Sequence, residues 1–127
     1  RLNNYRIRVA SLPTIQNALV ATALPITDPV MFNKYVKIFH EINPSIAGVR
    51  FTGSAALTLA YVAAGRIDLF WENNLREWDL AAGALIVREA GGFVTDFKGN
   101  DDYLTEGNII AGTVKLVRQF LPLINHG

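Results

Sequence analysis

Strand-like and helix-like segments alternate along most of this chain, and that alternation constrains its fold more than any other feature. Short apolar or alternating segments, typical of β-strands, cover residues 5–9, 17–23, 48–51, 66–72, 93–97 and 108–111. Segments with apolar residues at helical spacing cover residues 29–43, 54–64, 79–90 and 113–121. Such alternation, with apolar strands, predicts an α/β layered sandwich with a mixed, largely parallel sheet flanked by helices.

Capping signals mark where these helices begin and end. Asp28 before Pro29 is a strong start signal, because the aspartate can accept a backbone N–H and proline is tolerated at the first helical position. Ser54 opens the next helix in the same way, and Pro122 is expected to end or kink the last one. The apolar face of the first helix is predicted to comprise Phe32, Tyr35, Val36, Phe39 and Ile42.

The segment 71–92 joins a strand to a helix and carries several acidic residues. Glu72 falls at the carboxyl end of the predicted strand, where α/β sheets bind ligands. Asp79 falls in the first turn of the predicted helix, where it either caps the helix or faces a ligand beside the helix N-terminus. Gly83 lies inside the helix at a cost of about 1 kcal/mol relative to alanine, which predicts close packing there. Gly91 and Gly92 supply a left-handed stop.

The composition excludes several classes of function. The chain has 127 residues, enough for one domain, and twelve basic and eleven acidic residues leave a formal net charge of +1. That balance provides no field that would select nucleic acid or an acidic membrane. No apolar run approaches the ~20 residues that span a bilayer. The absence of cysteine excludes disulfides, zinc thiolate sites and thiol nucleophiles, and we expect a cytoplasmic protein.

Histidine chemistry is not predicted either. His40 falls near the end of a helix, where a solvated imidazole is the ordinary outcome, and His126 lies beside the chain end. No serine–histidine triad can therefore be assembled. Glu72 and Asp79 share one loop and could face one crevice, but two carboxylates are too few for a metal site on their own.

Five motifs stand out along the chain: Gly53-Ser54-Ala55-Ala56-Leu57, Ala63-Ala64-Gly65-Arg66-Ile67-Asp68, Trp71-Glu72, Trp78-Asp79-Leu80-Ala81-Ala82-Gly83 and Glu89-Ala90-Gly91-Gly92. Together they resemble the C-terminal half of the inositol monophosphatase family, closest to its bacterial SuhB-type branch. The resemblance covers the chain from about Tyr5 onward. It implies a magnesium-dependent hydrolase that releases phosphate from inositol monophosphates or related small phosphate monoesters.

The resemblance also implies roles for individual residues. Asp79 matches the aspartate that ligates a metal ion, and the resemblance favours this role over simple capping. Glu72 matches the glutamate that binds a substrate hydroxyl. Gly53, Ser54 and Ala55 match the helix-opening segment that lines the same pocket. Trp78 and Gly83 belong to the motif but are expected to be packing residues, like the other aromatic residues, which we place on core faces.

The family's N-terminal half is not recognisable in this sequence. That half carries a Gly-Glu-Glu segment and an Asp-Pro-x-Asp-Gly-Thr segment, whereas the one Asp-Pro here, Asp28-Pro29, continues as Val30-Met31-Phe32. Residues 1–127 are therefore expected to be a C-terminal domain without the N-terminal metal-binding half, and the chain alone is expected to be inactive. Its apolar composition is expected to reflect a surface that the other half covers.

Several alternatives stay open at this point. Phosphatases of the same family that act on fructose bisphosphate, nucleotides or histidinol phosphate share one metal site, so sequence alone leaves the substrate undecided. The bacterial branch is also associated with ribosomal RNA transcription complexes, which makes a regulatory or protein-binding module the competing class. A homodimer is expected, and direct nucleic-acid binding is not.

Overall fold

The computed structural model describes residues 8–9, 14–51 and 53–126. Strands and helices alternate within these ranges as predicted, although the strand predicted at residues 5–9 falls mostly outside them. The strands are β1 (Leu19–Thr22), β2 (Gly48–Phe51), β3 (Leu69–Glu72), β4 (Phe93–Thr95) and β5 (Ile109–Gly112). The helices are α1 (Pro29–Ile42), α2 (Ala55–Ala63), α3 (Glu77–Glu89), α4 (Tyr103–Glu106) and α5 (Val114–His126).

The strands form one mixed sheet in the order β2-β1-β3-β5-β4. β1 pairs in parallel with both β2 and β3, whereas β5 runs antiparallel to both of its neighbours. The order reverses at β1, since the chain crosses from β1 out to β2 and then back past β1 to β3. A crevice at the carboxyl ends of the strands is expected at such a reversal.

Helices cover both faces of the sheet, which confirms the predicted layered α/β sandwich. α2 and α3 pack on one face, where Phe70 of β3 joins their buried side chains. α1 and α5 pack on the other, where the neighbouring Trp71 lies against Phe120 with ring centroids 4.5 Å apart. Successive strand residues thus face opposite layers, as the two-residue period requires.

Hydrogen bonds at the helix ends confirm the predicted capping residues. The carboxylate of Asp28 accepts the backbone N–H of Met31 at 3.1 Å, and Pro29 opens α1. The Ser54 hydroxyl accepts the N–H of Leu57 at 3.2 Å at the start of α2. Gly91 has a φ of 89° and ends α3 as predicted.

Other boundaries differ from the prediction. β3 begins only at Leu69. Just before it, Asp68 is joined to Leu19 of β1 by two hydrogen bonds: its backbone N–H donates to the Leu19 carbonyl at 2.9 Å, and its carboxylate accepts the Leu19 N–H at 2.7 Å. The short helix α4 was not predicted. α5 continues past Pro122 to His126, because Phe120 and Ile124 are fully buried on either side of the proline and hold both halves against the sheet.

The surface also corrects two expectations about apolar residues. Val36 is 47% exposed, and Ile38 takes its place in the core beside Tyr35 and Ile42. Phe51 is 61% exposed, so the aromatic residues do not all face the core. None of the helices in the described ranges is both long and apolar enough to cross a membrane.

Candidate functional site at the carboxyl edge of the sheet

A cleft of about 750 Å³ opens at the carboxyl edge of the sheet, beside the point where the strand order reverses. Three segments distant in sequence form its walls: the β1–α1 loop, the end of β3 with the loop after it, and the end of α4 with the turn into β5. The lining residues are Ala23, Leu24, Pro25, Ile26, Thr27, Asp28, Pro29, Glu72, Asn73, Asn74, Glu106 and Asn108. One wall is thus largely apolar and the other carries carboxylates and amides.

Glu72 is the predicted site residue that lines this cleft. It is the last residue of β3 and pairs with Ile109 of the antiparallel β5, so Asn73 and Asn108 lie side by side just beyond the ladder. Partial burial and then the nearby charge of Asp79 raise the pKa of the Glu72 carboxyl to about 7. The protein therefore holds an acid at this edge that changes its charge near neutral pH.

Tyr35 orders the loop that follows Glu72. Its hydroxyl reaches across from α1 and donates a hydrogen bond to Oδ1 of Asn73 at 2.9 Å. Burial and then the negative charge of Glu72 raise the pKa of Tyr35 above its usual range, so the hydroxyl keeps its proton and remains a donor. This bond uses Oδ1 of Asn73 and not its amide NH₂ group, which is a donor.

Asp79 lies in the first turn of α3 and is partly buried, near Glu72 but not among the residues that line the cleft. α3 begins two residues earlier than predicted, with Arg76 at the N-cap. The Asp79 carboxylate accepts no hydrogen bond from the described part of the chain, so the alternative that it caps the helix is wrong. Its backbone N–H donates to the carbonyl of Arg76 at 3.1 Å.

A metal site requires several ligand side chains to lie together. Among the described residues, no three or more histidines, cysteines or acids stand together as a metal site. Asp79 lies close enough to Glu72 for its charge to raise the pKa of the Glu72 carboxyl, and carboxylate oxygens suit magnesium. Two carboxylates can supply only part of the ligand set that magnesium requires.

The segment Gly53-Ser54-Ala55 lies at the start of α2, after β2 at the same edge of the sheet, but it does not line the cleft. The Ser54 side chain is engaged in capping, and Ala55 is 7% exposed and packs in the core. Gly53 has open space around its Cα, since an added Cβ would meet no atom within 4 Å. Any contact with a ligand would use backbone groups of this segment.

The two motif residues that we predicted to be packing residues have different outcomes. An added Cβ on Gly83 would lie 2.5 Å from Cδ1 of Leu59, so close packing of α2 on α3 is confirmed. Trp78 is 69% exposed, with the Arg76 guanidinium 5.3 Å from its ring centroid, so its assignment as a packing residue is wrong. Its helical position points it away from the sheet.

Sequence reasoning missed the second polar wall of the cleft, formed by Glu106 and Asn108 with Asn73 and Asn74. Backbone contact joins the two loops, because the N–H of Leu75 donates to the carbonyl of Gly107 at 2.8 Å. The available signal was an acid and an amide on either side of a glycine directly before a strand. That signal is weak, since such residues are ordinary in turns.

The profile of the inositol monophosphatase family matches residues 1–125. The chain belongs to the inositol monophosphatase family. This confirms the resemblance predicted from the motifs, and it agrees with the sheet order and helix layers described above.

Similar proteins place the chain near the bacterial branch of that family. It is 46% identical to the Nus factor SuhB of Pseudomonas aeruginosa over 97% of this chain and 46% of that protein. It is also 46% identical to the Nus factor SuhB of Escherichia coli K12, over 95% of this chain and 45% of that protein. The chain thus spans about half the length of these relatives.

Solved structures of family members show the same fold. The extragenic suppressor protein SuhB of Bartonella henselae superposes with a TM-score of 0.90 at 42% identity, covering 98% of this chain and 48% of that one. The IMPase of Thermotoga maritima superposes with a TM-score of 0.84 at 32% identity, covering 98% and 46%. The inositol monophosphatase family is a phosphatase family, although its SuhB relatives are named as Nus factors.

Proposed function

We propose that this chain forms the C-terminal wall of a magnesium-dependent phosphatase that hydrolyses inositol monophosphate or a related small phosphate monoester. The observation that supports it best is the placement of the Glu72 carboxyl in a cleft at the carboxyl edge of the sheet, with the Asp79 carboxylate near it. Family membership supplies the class of reaction. Glu72 lines this cleft, at the edge where α/β sheets bind ligands, and Asp79 lies near Glu72.

Asp79 is proposed to supply one oxygen ligand to magnesium. When bound, the metal would lower the pKa of a coordinated water, neutralise charge on the phosphate and stabilise the leaving oxygen. Partial burial of Asp79 limits its exposure to competing water, and its carboxylate is unengaged within the described part of the chain. The remaining ligands are proposed to come from the N-terminal half of the full-length protein, so that residues 1–127 act as the C-terminal domain.

Glu72 is proposed to accept a hydrogen bond from a hydroxyl group of the substrate and so to orient the substrate. Its place on β3 is rigid, since its strand is paired on both sides. Gly53, Ser54 and Ala55 are proposed to approach the substrate through backbone N–H groups at the start of α2, where the helix dipole favours an anion. A homodimer and a cytoplasmic location stay predictions from the resemblance.

The assignment of Asp79 is tested by replacing it with asparagine in the full-length protein. Asp79→Asn keeps the size of the side chain but removes the charge that holds the cation, so kcat/KM for inositol 1-phosphate should fall by roughly 100-fold or more, since groups that merely support a metal ligand already cost 10–100-fold. Glu77→Gln is the matched control, because Glu77 is an exposed acid in the same helical turn. Steady-state rates across a magnesium titration make the measurement. Unchanged rates for Asp79→Asn at saturating magnesium would contradict the assignment.

A second candidate function is a regulatory or protein-binding role in ribosomal RNA transcription. It is favoured by the naming of the 46% identical relatives as Nus factors. The two candidates separate experimentally, because the Asp79→Asn protein should lose phosphatase activity yet retain binding to transcription factors if the surface carries that role. If the unaltered protein hydrolyses the substrate but binds no transcription factor, the enzymatic function alone is favoured.

A further inference from the structure

We propose that Glu106 is a specificity-determining residue of the cleft, which rejects phosphate monoesters whose alcohol carries a second anionic group. The inference rests on the proposed phosphatase function and concerns the part of the substrate that would lie against the wall of the cleft around Glu106. It distinguishes between substrate classes that the sequence leaves open, among them fructose bisphosphate and histidinol phosphate.

The backbone holds Glu106 in place at the cleft. It is the last residue of α4, and its N–H donates to the carbonyl of Asp102 at 2.9 Å. Gly107 follows in the left-handed region with a φ of 75°, and an added Cβ there would lie 2.7 Å from the carbonyl oxygen of Leu75. Only glycine permits this approach, which ties the turn carrying Glu106 to the loop that follows Glu72.

Among the described residues that line the cleft, the charged ones have one sign. Asp28, Glu72 and Glu106 are acidic, and none of these described residues is lysine, arginine or histidine. The Asp28 carboxylate is engaged in capping α1, whereas Glu106 is exposed and has no ion-pair partner in the described ranges. A second phosphate on the substrate would face uncompensated carboxylates here, and like charges brought together oppose binding.

The amides of the same wall suit uncharged hydroxyl groups. Asn74 and Asn108 each offer donors and an acceptor, and Asn73 keeps its NH₂ group free of the Tyr35 bond. Hydroxyls can donate to Glu106 and accept from these amides. The cleft therefore matches an alcohol with hydroxyl or cationic substituents and mismatches one with a further anionic group.

The test compares three substrates in the full-length protein: inositol 1-phosphate, fructose 1,6-bisphosphate and histidinol phosphate. For Glu106→Lys, we expect kcat/KM for the bisphosphate to rise by roughly tenfold relative to inositol 1-phosphate, mainly through KM, because an attraction replaces a repulsion. The same substitution should lower kcat/KM for histidinol phosphate, whose ammonium group is cationic. Glu106→Gln should shift both ratios in the same directions by less.

Glu89→Gln serves as the control, since Glu89 is an exposed acid at the other end of α3 and does not line the cleft. Added salt should shrink the effect of Glu106→Lys, as charge screening requires. This inference alone is overturned if the protein hydrolyses inositol 1-phosphate but neither Glu106 variant changes the ratios of kcat/KM between the substrates. A full-length protein that hydrolyses none of the three substrates overturns the proposed function, and this inference with it.

Discussion

At the scale of single residues, the site depends on where charge is buried. Glu72 and Asp79 are seven positions apart in sequence, and the strand-to-helix join brings them close enough for one charge to affect the other. Tyr35 comes from α1 on the opposite face of the sheet and reaches Asn73 at the same edge. The acids were predictable because each follows a recognisable strand or helix signal, whereas Tyr35 seemed to be an ordinary core residue.

Glu72 makes stability depend on pH in a defined direction. Its pKa of about 7 in the folded protein exceeds the ordinary 4.5, so its favourable contribution is fully present below pH 4.5 and is lost as pH rises through 7. Glu72→Gln should therefore be more stable than the unaltered protein at pH 8, with the advantage shrinking toward pH 5. Urea unfolding of the metal-free full-length protein and of the variant, from pH 5 to pH 8, measures this difference in stability.

Glu89→Gln provides the reference for that comparison, because Glu89 is exposed. An advantage of Glu72→Gln that stays constant from pH 5 to pH 8 would show that the charge of Glu72 is not desolvated by the fold.

At the scale of elements, the close approach of α2 and α3 fixes the start of each helix at the edge of the sheet. Gly83 makes this approach possible, since Leu59 of α2 occupies the space that a side chain would need. The sequence predicted a close contact at Gly83 from the helical penalty alone. It did not identify Leu59 as the partner, because nothing local relates residues so far apart.

Gly83→Ala should destabilise the protein despite the better helix propensity of alanine. The added methyl would lie 2.5 Å from Cδ1 and 2.8 Å from Cβ of Leu59, and the second atom cannot move without the backbone. Overpacking typically costs about 1–3 kcal/mol, against a gain of about 1 kcal/mol in propensity, so a net loss of up to about 2 kcal/mol is expected in denaturant unfolding.

Leu59→Ala is the matched partner in a double-mutant cycle. Alone it should cost about 2–5 kcal/mol, but combined with Gly83→Ala the two losses should be less than additive, since the alanine methyl fills part of the space. Strict additivity would mean that the contact between these two residues does not limit the packing.

At the scale of the whole molecule, the outer side of α2 and α3 carries an exposed apolar surface. Leu57, Tyr61, Leu85 and Ile86 are 38% to 56% exposed there. The starts of these helices carry Ser54, the N-cap of α2, and Asp79, the proposed metal ligand in the first turn of α3. We propose that the N-terminal half of the full-length protein packs on this surface and so delivers the missing ligands to the site.

The 127-residue chain by itself should therefore release no phosphate from inositol 1-phosphate and should self-associate. Its exposed apolar surface would lack a cover, and Asp79 would lack its companion ligands. Sedimentation and a phosphate-release assay with added magnesium measure the two properties, with the full-length protein as the positive control. Magnesium-dependent release by the pure fragment would falsify the division of the site between two halves.

The sequence by itself determined the order of the described elements apart from α4, the approximate positions of those elements, and the family, because caps, apolar periods and motif residues act within a few positions of one another. It also located Glu72 and Asp79 at the ends of their elements. The tertiary structure decided what surrounds them: a cleft built from residues 23–29, 72–74 and 106–108, the engagement of Tyr35 with Asn73, and the exposure of Trp78. Those features depend on which strands become neighbours in the sheet, and strand order is set by packing over long sequence distances.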